Sequence, residues 1–133
     1  MAKVIYAYMR LYGRNPDQET KKFIEENYND SYRSQNYPLG STSPRETNKY
    51  ELCKRLETAH ENYLISDDVR FEKADEEKRT IEYEWTVRNQ MTNYRTVYDC
   101  KATFDEKNRF LTLVLRQLDR YNYKPAPPQP KKE

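Results

Sequence analysis

The sequence predicts an α+β domain: an N-terminal strand, two helices, then a four-stranded antiparallel meander, with the helices packed on one face of the sheet. Three observations predict this class: alternating side chains in the first residues, two proline-led helix starts, and a change to a period of two after Ser66. We expect residues 1–123 to form this single domain and residues 124–133, rich in proline and lysine, to form a mobile tail.

The first strand is predicted from the run "KVIYAYMRLYG" at residues 3–13. Because neighbouring side chains of an extended chain point to opposite faces, one face would carry Tyr6, Tyr8, Arg10 and Tyr12. Large aromatic patches are seldom left exposed without a contact to make. This face therefore predicts a binding surface, the alternative being that the tyrosines cover a thin core beneath the loop that follows.

The two helices are predicted from similar starts. "NPDQ" offers Asn15 as the cap and Pro16 as the first helical residue, and "SPRE" offers Ser43 as the cap with Glu46 completing a capping box. The second helix then shows one apolar stripe centred on Leu56. The polar stretch between them, residues 29–42, is predicted to be a loop.

Four strands are predicted after Ser66, because apolar and polar side chains alternate in "DVRFEK", "TIEYEWTVR", "NYRTVYDCKATFD" and "NRFLTLVLRQL". The connections are short and polar, which favours antiparallel hairpins. We expect Trp85, on the most regular of these strands, to be buried against the helices.

The composition limits the possible functions. Hydrophobic and charged residues each make up 35% of the chain, and thirteen residues are tyrosine, so the core is expected to be thin and rich in aromatic rings. The net charge of only +2 gives no bulk basic surplus for nucleic acid. No apolar run is long enough for a membrane span and no signal pattern is present, so a cytoplasmic location with reduced Cys53 and Cys100 is expected.

Catalytic and metal sites are not indicated by the sequence. His60 lies beside Glu57 and Glu61, but a single histidine at the edge of an apolar stripe is typical of a structural residue. Two distant cysteines and one histidine do not predict a metal site, and the near absence of glycine excludes a phosphate-binding loop, so no cofactor is expected.

A nucleic-acid-binding module is one alternative. Tyrosines on a sheet can stack bases, and the basic residues that would follow the phosphates are Arg10, Arg14, Arg116 and Arg120.

A ribonuclease is the other alternative. The order of elements, with "NYRTVYD" and "FLTLVLRQLDRY", resembles the RelE-type messenger-RNA-cleaving toxins. The resemblance implies an RNA-cleaving site composed of Arg95, Tyr98, Arg116 and Tyr121.

The leading hypothesis is a small non-enzymatic protein that binds or occludes a partner, such as an accessory or inhibitor protein of a phage or mobile element. Tyrosine and arginine dominate binding hot spots, and this chain has many of both. The predicted binding surface consists of Tyr6, Tyr8, Arg10, Tyr12, Arg14, Arg116 and Arg120. The partner would be another protein or a second copy of the chain, with nucleic acid possible and no membrane.

Overall fold

The computed structural model describes the backbone of residues 1–123 and the side chains of residues 1–118. The helices in this part are α1 (Ala2–Leu11), α2 (Gln18–Asn27) and α3 (Leu52–Glu61), with a 3-10 turn at Lys49–Glu51 before α3. The strands are β1 (Tyr28–Tyr37), β2 (Arg45–Asn48), β3 (Leu64–Asp75), β4 (Thr80–Asn89), β5 (Arg95–Phe104) and β6 (Phe110–Tyr123). The tail predicted at residues 124–133 lies outside the described residues.

The strands form one mixed sheet in the order β2-β1-β6-β5-β4-β3. Strands β3 to β6 pair antiparallel in chain order, and β1 pairs antiparallel with β2, whereas β1 and β6 run parallel. The four strands expected after Ser66 are therefore present, but the predicted fold class is wrong. The described sheet has six strands rather than a meander with one added strand, and three α-helices accompany it.

The N-terminal segment is a helix, not a strand. Ile5 and Met9 are buried one helical turn apart, and Tyr8 and Tyr12 continue the same stripe onto the sheet, where both rings contact Trp85. A run this rich in apolar residues fits both the two-residue period of a strand and the 3.6-residue period of a helix. Alanine, methionine, leucine and arginine are also good helix formers, which favours the helix.

The segment predicted as the loop at residues 29–42 is mostly strand β1. Tyr32 and Ser34 are buried in it, and its partner β6 lies far away in the sequence. Strand pairing also moves the start of the helix that was predicted from Ser43. Residues 45–48 pair with β1, so the capping box forms at Asn48 and Glu51 instead of at Ser43 and Glu46. Helix α2 is capped by Asp17, whose carboxylate accepts a hydrogen bond from the Thr20 N–H at 2.9 Å.

The core lies between the helices and one face of the sheet. Trp85 is 5% exposed there, so its predicted burial is confirmed, and Leu56 of α3 is fully buried. Aromatic rings fill the end of the core near α2, where Tyr28 stacks on Phe110 with ring centroids 4.7 Å apart. The alternating face of β4 that was expected to point inward is buried, at Ile81, Tyr83, Trp85 and Val87.

Helix α1 is held over the sheet by the residues that follow it. Gly13 has a φ of +94°, and a Cβ there would lie 2.5 Å from the Leu64 carbonyl oxygen. The Gly13 carbonyl accepts a hydrogen bond from His60 Nδ1 at 3.0 Å, which joins the end of α1 to α3. In this structure His60 therefore has a structural role, because its hydrogen bond fixes the end of α1 against α3.

The turn between β5 and β6 is organised by Asp105. Its carboxylate accepts hydrogen bonds from the side chains of Asn29 and Arg109 and from the backbone N–H groups of Lys107 and Arg109. Burial raises the pKa of Asp105, but these hydrogen bonds outweigh it and lower the pKa to about 2. This turn fixes the start of β1 against β6.

Candidate functional site

A cavity of about 110 Å³ lies between α1, α3 and the helix-covered face of the sheet. Tyrosine rings make up much of its wall. We call four of them the tyrosine wall: Tyr8, Tyr12, Tyr32 and Tyr98. Because Arg55 is exposed and also lines the cavity, the cavity reaches the surface at this residue.

Trp85 forms the floor of the cavity together with two rings of the tyrosine wall. Its ring centroid lies 4.8 Å from that of Tyr12 and 5.8 Å from that of Tyr98. The indole N–H donates to Ser66 Oγ at 2.9 Å, so the polar edge of Trp85 is satisfied away from the cavity. The floor is therefore an apolar aromatic surface.

The hydroxyls of the tyrosine wall differ in their neighbours. Burial raises the pKa of Tyr32 and of Tyr83, another lining residue; the Ser34 side chain opposes this rise for Tyr32, and Cys100 adds to it for Tyr83. Within residues 1–118, the hydroxyls of Tyr8, Tyr12 and Tyr98 have no hydrogen-bond partner. Three phenol groups thus line the cavity with hydroxyls that form no hydrogen bond within these residues.

Burial raises the pKa of Tyr8, Tyr12 and Tyr98, because the phenolate form loses hydration. Tyr8 and Tyr98 also raise the pKa of Tyr12. All three are therefore neutral at physiological pH, and each can donate one hydrogen bond.

Arg55 is the charged residue of the cavity lining. Its Nε and Nη2 donate to Thr47 Oγ1 at 2.9 and 2.7 Å, which holds the guanidinium at the cavity mouth. Its charge opposes the effect of burial on the pKa of every member of the tyrosine wall. The side chains that line the cavity in the described part of the chain include no histidine and no carboxylate.

A second depression, of about 380 Å³, lies on the opposite face of the sheet. Its charged side chains pair with one another: Asp67 contacts Arg95 at 2.8 Å, and Arg70 contacts Glu84 at 3.0 Å. Since these charges already have partners, the depression is better explained as surface structure than as a site.

The predicted binding surface does not form one surface. Tyr8 and Tyr12 lie in the cavity, whereas Tyr6 is 46% exposed and contacts Phe71. Arg10 and Arg14 are exposed near the end of α1. Arg116 lies on the other side of the sheet, 4.4 Å from the centre of the Tyr37 ring, and the side chain of Arg120 is outside the described residues.

The residues of the ribonuclease alternative are also separated. Tyr98 lines the cavity, whereas Arg95 and Arg116 point to the opposite face, where Arg95 pairs with Asp67. The side chain of Tyr121 is not described. No common site therefore joins the described members of this set.

Sequence reasoning missed Arg55, Thr47, Ser34 and Asn36 as lining residues. Only part of this set shows a pattern in the sequence that could have indicated it. Tyr32, Ser34 and Asn36 lie two residues apart, which is the period of one face of a strand. Arg55 lies on the exposed part of a charged helix and differs in no visible way from its neighbours.

Solved structures with the same architecture are found, although no family model and no curated protein matches the chain. A phenazine biosynthesis-related protein, PhzB2 from Pseudomonas aeruginosa, is 11% identical, with a TM-score of 0.65 over 96% of this chain and 88% of that one. An NTF2-like protein from Anabaena variabilis is 8% identical, with a TM-score of 0.63 over 91% and 88%. The BvnE pinacolase from Penicillium brevicompactum is 16% identical, with a TM-score of 0.57 over 89% and 86%.

The chain has an NTF2-like fold. Two of these proteins are described as related to phenazine biosynthesis and as a pinacolase, so the hypothesis of a non-enzymatic phage or mobile-element inhibitor is wrong, and nucleic-acid binding has no support. No described helix has the length and apolar character needed to cross a membrane. A protein partner or self-association, and a cytoplasmic location, stay predictions.

Proposed function

We propose that this NTF2-like chain binds a small, largely apolar molecule in the cavity, with a polar group of that molecule accepting hydrogen bonds from the tyrosine wall. The observation that carries the proposal is the set of three hydroxyls, on Tyr8, Tyr12 and Tyr98, without a partner among the described residues. Buried polar groups in folded proteins are nearly always hydrogen-bonded, because leaving one unpaired costs about 1–3 kcal/mol. A ligand oxygen would satisfy them.

The size of the cavity limits the ligand. An apolar cavity of about 150 Å³ binds benzene. A cavity of about 110 Å³ that opens at Arg55 suits a five-membered ring or a branched chain, with one polar substituent directed to the mouth. The aromatic floor supplies the apolar contact, at roughly 25 cal/mol for each Å² removed from water.

Binding is better supported than proton transfer. A general acid or base works best when its pKa is near the ambient pH. The lining residues in the described chain offer tyrosines whose pKa is raised by burial, and an arginine, but no carboxylate or imidazole. These groups can hold and polarise a carbonyl oxygen, but none of them is suited to accept a proton at neutral pH.

The test is a titration with cyclopentanecarboxamide, followed by the emission of Trp85, the single tryptophan of the chain. We expect a saturable change, and about tenfold weaker binding in the double variant Tyr12→Phe/Tyr98→Phe, because two hydrogen-bond donors are removed. The matched control is Tyr63→Phe/Tyr94→Phe, since both of those rings are exposed. Absence of a saturable change, or equal weakening in the control, would contradict the proposal.

A further inference from the structure

Arg55 has more hydrogen-bonding capacity than the protein uses. A guanidinium carries five N–H groups, and the two bonds it makes here both go to Thr47 Oγ1. In the described part of the chain, Arg55 forms no ion pair. Its Nη1 group and one N–H of Nη2 are therefore available to a molecule at the cavity mouth.

The acidic residues closest to Arg55 along the chain are engaged elsewhere. Glu57 pairs with Lys54 at 3.4 Å, and Glu51 accepts a hydrogen bond from the Asn48 backbone at 2.9 Å. The positive charge of Arg55 at the mouth thus has no compensating carboxylate among the lining residues.

A second arginine adds to the positive potential at the mouth. Arg45 on β2 is the register partner of Asn36, a lining residue, so the two side chains share the face of the sheet that carries the cavity. Burial raises the pKa of Tyr98, and the charges of Arg55 and Arg45 both oppose that effect.

We propose that the ligand is a small apolar carboxylic acid whose carboxylate binds the available N–H groups of Arg55 and accepts a hydrogen bond from the tyrosine wall, while its hydrocarbon part lies on Trp85. This inference rests on the proposed function and names its ligand class. A guanidinium and a carboxylate are planar and can pair through two parallel hydrogen bonds, and the unused N–H groups of Nη1 and Nη2 can form such a pair.

The experiment compares cyclopentanecarboxylate with cyclopentanecarboxamide, two probes of nearly equal shape, in the full chain at pH 7 by Trp85 emission. We expect the carboxylate to bind at least tenfold more tightly than the amide, because charge-assisted hydrogen bonds are stronger. In Arg55→Met the preference should vanish, and in Arg55→Lys, which keeps the charge without the planar fork, it should be reduced. The control is Lys54→Met, which removes the same charge from a neighbouring exposed position.

The outcomes separate the two proposals. Equal binding of acid and amide, or a preference that survives in Arg55→Met, would overturn the assignment of Arg55 and leave the proposed binding function in place. Equal loss in Lys54→Met would show a general charge effect and would also overturn it. Failure of both probes to bind would refute the proposed function and this inference together.

Discussion

Two tyrosine-to-phenylalanine changes in the same wall should have opposite effects on the stability of the ligand-free protein. The side chain of Ser34, which is itself buried, opposes the rise in the pKa of Tyr32 that burial causes, whereas the Tyr12 hydroxyl has no hydrogen-bond partner in the described chain. Removing the Tyr32 hydroxyl takes a polar neighbour away from the buried Ser34, and we expect a cost of about 1–2 kcal/mol. Removing the Tyr12 hydroxyl breaks no protein bond.

The expected effect of Tyr12→Phe follows from the cavity. A dry, unpaired hydroxyl costs about 1–3 kcal/mol. At roughly 30 Å³ for each water molecule, a cavity of about 110 Å³ has room for three or four, which relieve part of this cost. We therefore expect Tyr12→Phe to leave the free energy of unfolding unchanged or to raise it by up to about 1 kcal/mol. Such a result is typical of a side chain that serves function and does not stabilise the fold.

Urea unfolding followed by circular dichroism measures both variants, with equal slopes confirming that the midpoints can be compared. Tyr32→Phe should unfold at lower urea than the parent chain, and Tyr12→Phe at equal or higher urea. Destabilisation of Tyr12→Phe to the same extent as Tyr32→Phe would show that the Tyr12 hydroxyl serves the fold. The proposed role of the tyrosine wall would then lose its basis.

Three further changes test the fold around the site. Leu56→Ala should cost about 2–5 kcal/mol in urea unfolding, since the side chain is fully buried in α3, and a silent change would mean that this helix does not pack as described. Gly13→Ala should lower the thermal midpoint clearly more than Gly40→Ala, because both have positive φ but only the first places a Cβ against backbone; equal effects would contradict the close contact. Asp105 has a folded pKa of about 2, below the usual value of 3.8, so its stabilisation is present above pH 4 and is lost as the pH falls from 4 to 2. Asp105→Asn should therefore destabilise by about 1–2 kcal/mol at pH 7 and flatten the acid-side loss of stability; an unchanged acid profile would be the contrary result.

The sequence predicts the strands β3 to β6 and α3 because each has one clear period. In β4, every second residue from Ile81 to Val87 is apolar, and no helical stripe competes with that pattern. The first twelve residues do not distinguish a strand from a helix in this way. Ile5, Tyr8, Met9 and Tyr12 form a helical stripe, but their neighbours are also largely apolar, so the alternation of a strand is present by composition alone.

The site depends on pairings that a single sequence does not contain. Strand β1 is polar because several of its side chains face a cavity, and its parallel partner β6 is separated from it by most of the chain. The polar composition of β1 therefore led to the prediction of a loop. The prediction of Tyr8 and Tyr12 as binding residues rests on a strand that the structure does not contain. Arg55 becomes distinctive only when β2 and the sheet place Thr47 and the tyrosine wall beside it.

A crystal structure of the chain with cyclopentanecarboxylate would locate both the ring and the carboxylate of the ligand. We expect the ring on Trp85 and Tyr12, at least one hydroxyl of the tyrosine wall donating to the ligand, and a carboxylate oxygen about 2.7–2.9 Å from an Arg55 nitrogen. A ligand bound outside the cavity, or one inside it with its carboxylate turned away from Arg55, would contradict the account.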